Sequence, residues 1–339
     1  MSKRVFLQKP TFVNRTYRGG ALLGRFLKID GASDSFCPED WISSFVEAKN
    51  RLYIENEGVT RVVCDGNEKL ITEAVSISDF GEGRESSGVL IKLLDAAERL
   101  GIQVHPTKEY ARRHFGTDYG KTECWYILDT RDTGACIYIG FKEHVTPEYF
   151  KELFEKQDTA AMLDAMHKFE VKAGDVILVT AGTPHAIGAG CFLLEVQEPC
   201  DYTMRVEKTT VAGESLTPMQ IHYGLGEEKM LECFSYSGAS ADETYKRHFL
   251  PKRNVSECEI DLVRYTDTEC FALKRIEGGE YRDCEPHFIT VVVLGDGGTL
   301  ACDGEIHCLR RGDKYFIGAN TPFTLRDATA ALCYPPKLK

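Results

Sequence analysis

The chain has 339 residues, 43% apolar and 27% charged, and its 41 Lys and Arg against 52 Asp and Glu give a formal charge of −11; this excludes a disordered chain and leaves no electrostatic footprint for nucleic acid or an anionic membrane. No segment approaches the roughly 18 consecutive apolar residues that cross a bilayer, and residues 1–10 lack the apolar core of a signal peptide. Thirteen cysteines with no CxxC pair argue against a disulfide framework or zinc knot and for a reducing cytoplasm, and the length predicts two domains.

Residues 1–90 mix short apolar runs with turn signals at Gly19-Gly20, Asp30-Gly31 and Asp65-Gly66. The alternation in Arg61-Val62-Val63-Cys64 and Ala74-Val75-Ser76-Ile77 predicts short strands. Over 89–100, Leu90, Leu93, Leu94 and Ala97 fall on one helical face. The stretch 147–169 predicts helix in two pieces, with Thr146 as cap and Pro147 in the first turn. Strands resume from Val171, residues 215–232 predict helical or irregular packing between two halves, and 255–335 read as short strands about every 8–12 residues.

An internal echo organises this pattern. The block 172–187, Lys-Ala-Gly-Asp-Val-Ile-Leu-Val-Thr-Ala-Gly-Thr-Pro-His-Ala-Ile, aligns without a gap on 310–325, Arg-Arg-Gly-Asp-Lys-Tyr-Phe-Ile-Gly-Ala-Asn-Thr-Pro-Phe-Thr-Leu. Each copy is a basic residue, Gly-Asp, an apolar strand, a turn, then Thr-Pro opening the next strand. The pattern resembles the second motif of cupins. It implies a mainly β chain of two cupin-like antiparallel jelly-roll barrels with a few short helices between and around them: a metal-binding domain over 1–235 and a metal-free one over 236–339. His185 of the first copy is Phe323 in the second, so only the first can hold a metal there.

Three segments place polar residues two apart, on one face of a strand: Gln103 and His105; Lys121 and Glu123; Asp201, Thr203 and Arg205. Each alone has an ordinary reading: a hydrogen-bonded structural histidine, a solvated strand face, a structural ion pair. Together, Gln103, His105, Glu123 and His185 make a nitrogen and oxygen donor set that suits Zn²⁺ and, lacking thiolate, also admits other divalent ions.

Leu90-Ile91-Lys92-Leu93-Leu94-Asp95-Ala96, Ile102-Gln103-Val104-His105-Pro106, Gly120-Lys121-Thr122-Glu123-Cys124-Trp125-Tyr126, Gly182-Thr183-Pro184-His185-Ala186-Ile187 and Asp201-Tyr202-Thr203-Met204-Arg205-Val206 occur in the order of type I mannose-6-phosphate isomerases. The chain resembles the short bacterial form of that family over about residues 15–225, the remainder matching only as a degenerate second cupin. The resemblance implies one Zn²⁺ per chain on Gln103, His105, Glu123 and His185. It also implies active-site roles for Lys92, Lys121, Asp201 and Arg205, and interconversion of mannose 6-phosphate and fructose 6-phosphate through an enediol. The family's Trp-Gly-Gly reads Tyr17-Arg18-Gly19-Gly20 here, and its Glu-x-Trp reads Glu39-Asp40-Trp41.

Several roles stay open at this level. Lys121 or Lys92 is either a neutral amine that carries the proton or a binder of phosphate and hydroxyls. Asp201 is either the base or the residue that orients Arg205; Glu195 is a cavity carboxylate or an edge-strand charge. Lys108, Arg112 and Arg113 either hold the phosphate or form a solvated turn. Two rival functions are an Fe²⁺ cupin oxygenase on His105, Glu123 and His185, opposed by Gln103 and the Lys/Arg cluster, and a non-catalytic sugar-binding cupin, opposed by Lys121 and Arg205. Subunit number is not legible; the expected partner is a small sugar phosphate, in the cytoplasm.

Overall fold

A computed structural model describes residues 4–64, 66–131 and 134–338; Asp65, in one of the expected turns, lies outside them, as do residues 1–3. The chain is mainly β, its strands grouped in sheets of five, six, nine and four with antiparallel pairing. The sheets are stacked in that order, because three apolar cores each draw on two neighbours. Ile139 and Ile187 of the five-stranded sheet meet Trp125, Ile177 and Leu193 of the six-stranded sheet. Ile91, Tyr126 and Leu194 on its other face meet Leu273, Val292 and Phe316 of the nine-stranded sheet. Val291 and Tyr315 then meet Leu300 and Phe323 of the four-stranded sheet. Among the described residues, no helix is long and apolar enough to cross a membrane.

A sheet covered on both faces explains the main departure from sequence expectation. The segment 89–100 is not a helix: Leu90–Asp95 is a strand in the six-stranded sheet with every residue buried. Ile91 and Leu93 face the nine-stranded sheet and Leu94 the five-stranded one, so the strand is apolar on both sides and its leucines also fit a helical spacing. The helical stretch 147–169 resolves into Pro147–Lys156 and Thr159–Asp164, followed by the strand Met166–Glu170. Ala74-Val75-Ser76-Ile77 is no strand either but joins the one-turn helices Ile71–Ala74 and Ile77–Phe80, where Asp79 accepts from the Ser76 N–H and hydroxyl at 2.8 and 2.7 Å.

Within 215–232, the helices Pro218–His222 and Glu227–Glu232 do not separate two halves. Their Ile221, Met230 and Leu231 pack on Val104, Ala186 and Met204, covering the outer face of the five-stranded sheet. The nine-stranded sheet joins Val5–Gln8, Arg61–Cys64 and Asn67–Leu70, from the N-terminal side of residue 235, to strands between 253 and 334.

Candidate active site

Strand register gathers the chemistry into two facing rows. Across the six-stranded sheet, Trp41 stands opposite Lys92, Lys92 opposite Glu195, and Glu195 opposite Trp125. Across the five-stranded sheet, His185 stands opposite Gln103 and Gln103 opposite Arg205. Residues opposite one another share a face, so residues more than 100 positions apart project into the space between the two sheets.

His105, Glu123 and His185 are buried there with one donor atom of each within 4.8 Å of the others. Glu123 Oε2 lies 3.1 Å from His105 Nε2 and Oε1 3.5 Å from His185 Nε2. The Nδ1 atoms of the two rings face backbone carbonyls, of Tyr202 at 3.1 Å and of Thr183 at 2.8 Å. Donation to those carbonyls puts the proton on Nδ1 and leaves the Nε2 lone pair turned inward. Burial, and then Lys121, holds His105 near 3, and burial lowers His185, so both rings are neutral at pH 7. Two lone pairs and a carboxylate aimed at one spot repel unless a cation stands between them, and the donor set fits a divalent ion. The Gln103 amide lies 3.2 Å from His185 Nε2; turned about its last bond, it presents its carbonyl oxygen to the same spot.

Trp125 Nε1 donates to Glu123 at 3.0 Å and to Glu195 at 3.2 Å, fixing the two carboxylates side by side. Lys121 Nζ reaches His105 Nε2 at 3.1 Å and Glu123 at 3.3 Å. Burial pulls its ammonium down, but Glu123, Glu195 and Asp201 outweigh burial and raise it, so in this surrounding Lys121 is not the neutral amine the first reading allowed. Lys92 Nζ pairs with Glu195 at 3.0 Å and lies 5.0 Å from the centre of the Trp41 ring. Glu195 is a buried cavity carboxylate, pushed up by burial and by Glu123 against the pull of Lys92 and Lys121.

Asp201 does not orient Arg205. It takes a two-point contact from Arg15 at 3.1 and 3.2 Å and the Lys49 N–H at 2.8 Å, while Arg205 donates to the carbonyls of Gln220 at 2.7 Å and Thr203 at 3.4 Å. Arg15 also reaches Glu39 at 2.9 Å, and Glu39 accepts from Tyr17 at 2.6 Å and Trp41 at 2.7 Å. Burial would raise both carboxyls, but Arg15, and Lys92 after it, hold Glu39 at about 2 and Asp201 well below the usual range. Arg15 is the site residue that sequence reasoning missed: it lies two residues before Tyr17 of the Tyr17-to-Gly20 segment, and no spacing marks it. Lys108, Arg112 and Arg113 lie outside the cleft, paired with Glu198, Asp118 and Glu109.

Fold and site together define an antiparallel β protein with a candidate centre for one divalent ion beside a cleft of paired acids and bases. No protein-family model matches the chain. Mannose-6-phosphate isomerase ManA of Bacillus subtilis (strain 168) is 40% identical over 233 residues, 68% of either chain. "Probable mannose-6-phosphate isomerase GmuF" of the same organism is 31% identical over 239 residues, 70% of this chain and 68% of that one. The crystal structure of the mannose 6-phosphate isomerase from Bacillus subtilis superposes with a TM-score of 0.73 at 21% identity, covering 98% of this chain and 99% of the other. A zinc-bound mannose 6-phosphate isomerase gives 0.74 at 17%, covering 99% and 100%. The chain belongs to the mannose-6-phosphate isomerase family, whose reaction class is aldose–ketose isomerisation.

Proposed function

We propose that the chain is a zinc-dependent isomerase that interconverts mannose 6-phosphate and fructose 6-phosphate, with one Zn²⁺ held by Gln103, His105, Glu123 and His185. The observation that carries this reading is the convergence of two neutral Nε2 atoms and a carboxylate on one buried spot, beside the Lys92–Glu195 pair. The catalytic unit is the pair of five- and six-stranded sheets that face each other across the site; Phe323, in the four-stranded sheet, occupies the position of His185 in the second copy of the repeat, and no metal is expected there.

The reaction moves a proton between C2 and C1 of the sugar and develops negative charge on their oxygens. The bound ion supplies a Lewis acid for those oxygens. Among the acids of the cleft, Glu39 and Asp201 are held as weak bases by Arg15, whereas burial raises Glu195; Glu195 therefore takes and returns the carbon-bound proton. Lys92, across the strand, holds the Glu195 carboxylate in place. Lys121, which lines the same cleft, donates to the sugar oxygens. Arg205, held by the carbonyls of Gln220 and Thr203, turns a guanidinium toward the developing oxyanion. Asp201 positions Arg15, which lines the same cleft.

The test is formation of fructose 6-phosphate from mannose 6-phosphate by protein carrying one zinc per chain, lost on chelation and restored by Zn²⁺. Metal-loaded protein that turns over no aldose phosphate would sink the proposal.

A further inference from the structure

The repeated Gly-Asp turns have no part in that reaction, yet both border a second cleft of about 560 Å³, within the range of small-molecule sites. It lies behind the strand Glu123–Thr130. Tyr126, which lines it, belongs to the core shared with the nine-stranded sheet, whereas Trp125 faces the five-stranded sheet. Ala173 and Gly174 of the first turn and Arg311 of the second stand on its rim.

Four cations line this cleft, Arg25, Lys252, Arg275 and Arg311, against the single carboxylate of Asp129, in a chain whose net charge is −11. Among the described residues, Arg25 and Lys252 have no carboxylate partner, and both are exposed. Arg275 donates to the Tyr126 hydroxyl and pairs with Glu277, but its Nε, like that of Arg311, is sealed from solvent with no hydrogen bond. Gly174, at φ 94°, makes room for one of the four: a Cβ there would stand 2.5 Å from the Lys252 ammonium. One wall is aromatic. The Arg311 guanidinium lies 6.0 Å from the Phe26 ring centre, and Phe26 lies 5.4 Å from Phe192.

We propose that this cleft binds a small polyanion with a planar apolar part, of the class of a nucleoside diphosphate. Arg25 and Lys252, which among the described residues have no carboxylate partner, match adjacent phosphate groups with the Arg311 guanidinium beside them, and the Phe26–Phe192 wall offers apolar aromatic surface to a base. The ligand bridges the six- and nine-stranded sheets, which supply Tyr126 and Arg275 respectively.

Calorimetric titration of the metal-loaded full chain with ADP, pyrophosphate and adenosine tests this. One ADP per chain is expected, with pyrophosphate and adenosine each weaker by about 10-fold or more. R25E/K252E should weaken ADP by at least about 10-fold while leaving isomerase kcat/KM unchanged, which also reports that the variant is folded. Arg205→Ala should keep ADP binding intact. No ADP binding at about 5 mM overturns the proposal. Binding that survives R25E/K252E and disappears in Arg205→Ala also overturns it, because the ligand then sits in the catalytic cleft. Pyrophosphate binding as tightly as ADP overturns the assignment of the aromatic wall.

Discussion

The two copies of the repeated block share a backbone and differ in company. In both, the Asp carboxylate accepts from the N–H of the basic residue three positions back, at 2.9 Å from Lys172 and 2.8 Å from Arg310. The Asp N–H returns to that residue's carbonyl at 3.1 and 3.0 Å, and Gly174 and Gly312 sit at φ 94° and 91°, where a side chain is strained. Each turn feeds a buried strand, Val176–Val179 or Lys314–Ile317. The next strand then opens on His185 or Phe323, both buried. His185 stands opposite Gln103 and beside Glu123. Phe323 stands opposite Asp283 and Cys302, and Asp283 already accepts the hydroxyls of Tyr281 and Tyr334 at 2.8 and 3.0 Å. The repeated turn sets where a side chain enters; the cross-strand neighbours decide whether that entry becomes a donor set or a core.

Replacing the two residues in turn is the most forceful way to break this comparison. His185→Ala should remove zinc, measured by elemental analysis, and lower kcat by about four orders of magnitude. The mirror change, Phe323→His, should add no metal, because the carboxylate opposite it, Asp283, is already engaged by Tyr281 and Tyr334, and should cost about 1–3 kcal/mol in denaturant unfolding for a buried polar ring. A second equivalent of zinc in Phe323→His would show that position alone, without neighbours, makes the site.

The strand after each block sharpens the contrast. Cys191–Gln197 turns Glu195 toward the cleft, whereas Thr329–Tyr334 turns Ala330, Leu332 and Tyr334 into apolar core. Glu195→Gln should therefore keep one zinc per chain and lower kcat by about two to three orders of magnitude with little change in KM. Loss of zinc together with activity would make Glu195 a structural support of the metal set rather than the base.

Residues two apart in Gln103/His105 and Lys121/Glu123, and the repeat that carries His185, brought His105, Glu123 and His185 to notice before any coordinates, because strand alternation is a local property. The 90–95 strand was not legible as a strand: burial on both faces erased the period that separates it from a helix. Nor was Arg15. Its link to Asp201 spans 186 positions and depends on register between sheets, so the sequence paired Asp201 with its neighbour Arg205 instead.

Adjacent carboxylates on one strand offer a subtler comparison. Glu39 faces the site and is held by Arg15, while Asp40 faces the nine-stranded sheet and pairs with the buried Lys314. Against the upward push of burial, Arg15 and Lys92 hold Glu39 at about 2, below its unfolded value of about 4.3. Its stabilisation is therefore fully present above that pH and is lost as the pH falls toward 2. Glu39→Gln should cost about 3 kcal/mol at pH 7, and the gap to the parent in urea unfolding should narrow between pH 4 and pH 3. A gap independent of pH would mean that the charge of Glu39 contributes nothing and its hydrogen bonds everything.

The smallest expected effect tests the part of the repeat that does not differ. Asp175→Ala and Asp313→Ala each remove an acceptor for one backbone N–H in turns of equal geometry. Each should cost about 1 kcal/mol, as loss of a capping side chain does, with isomerase activity unchanged and the two costs equal within error. The side chain of Asp175 is 20% exposed, so water can partly replace the lost acceptor, and neither change opens a cavity in a core. If Asp175→Ala alone lowered kcat, the first turn would be transmitting its position along Val176–Val179 to Glu123, which stands opposite Val179. The copies would then differ in mechanical role as well as in the residue, His185 or Phe323, that follows Thr-Pro.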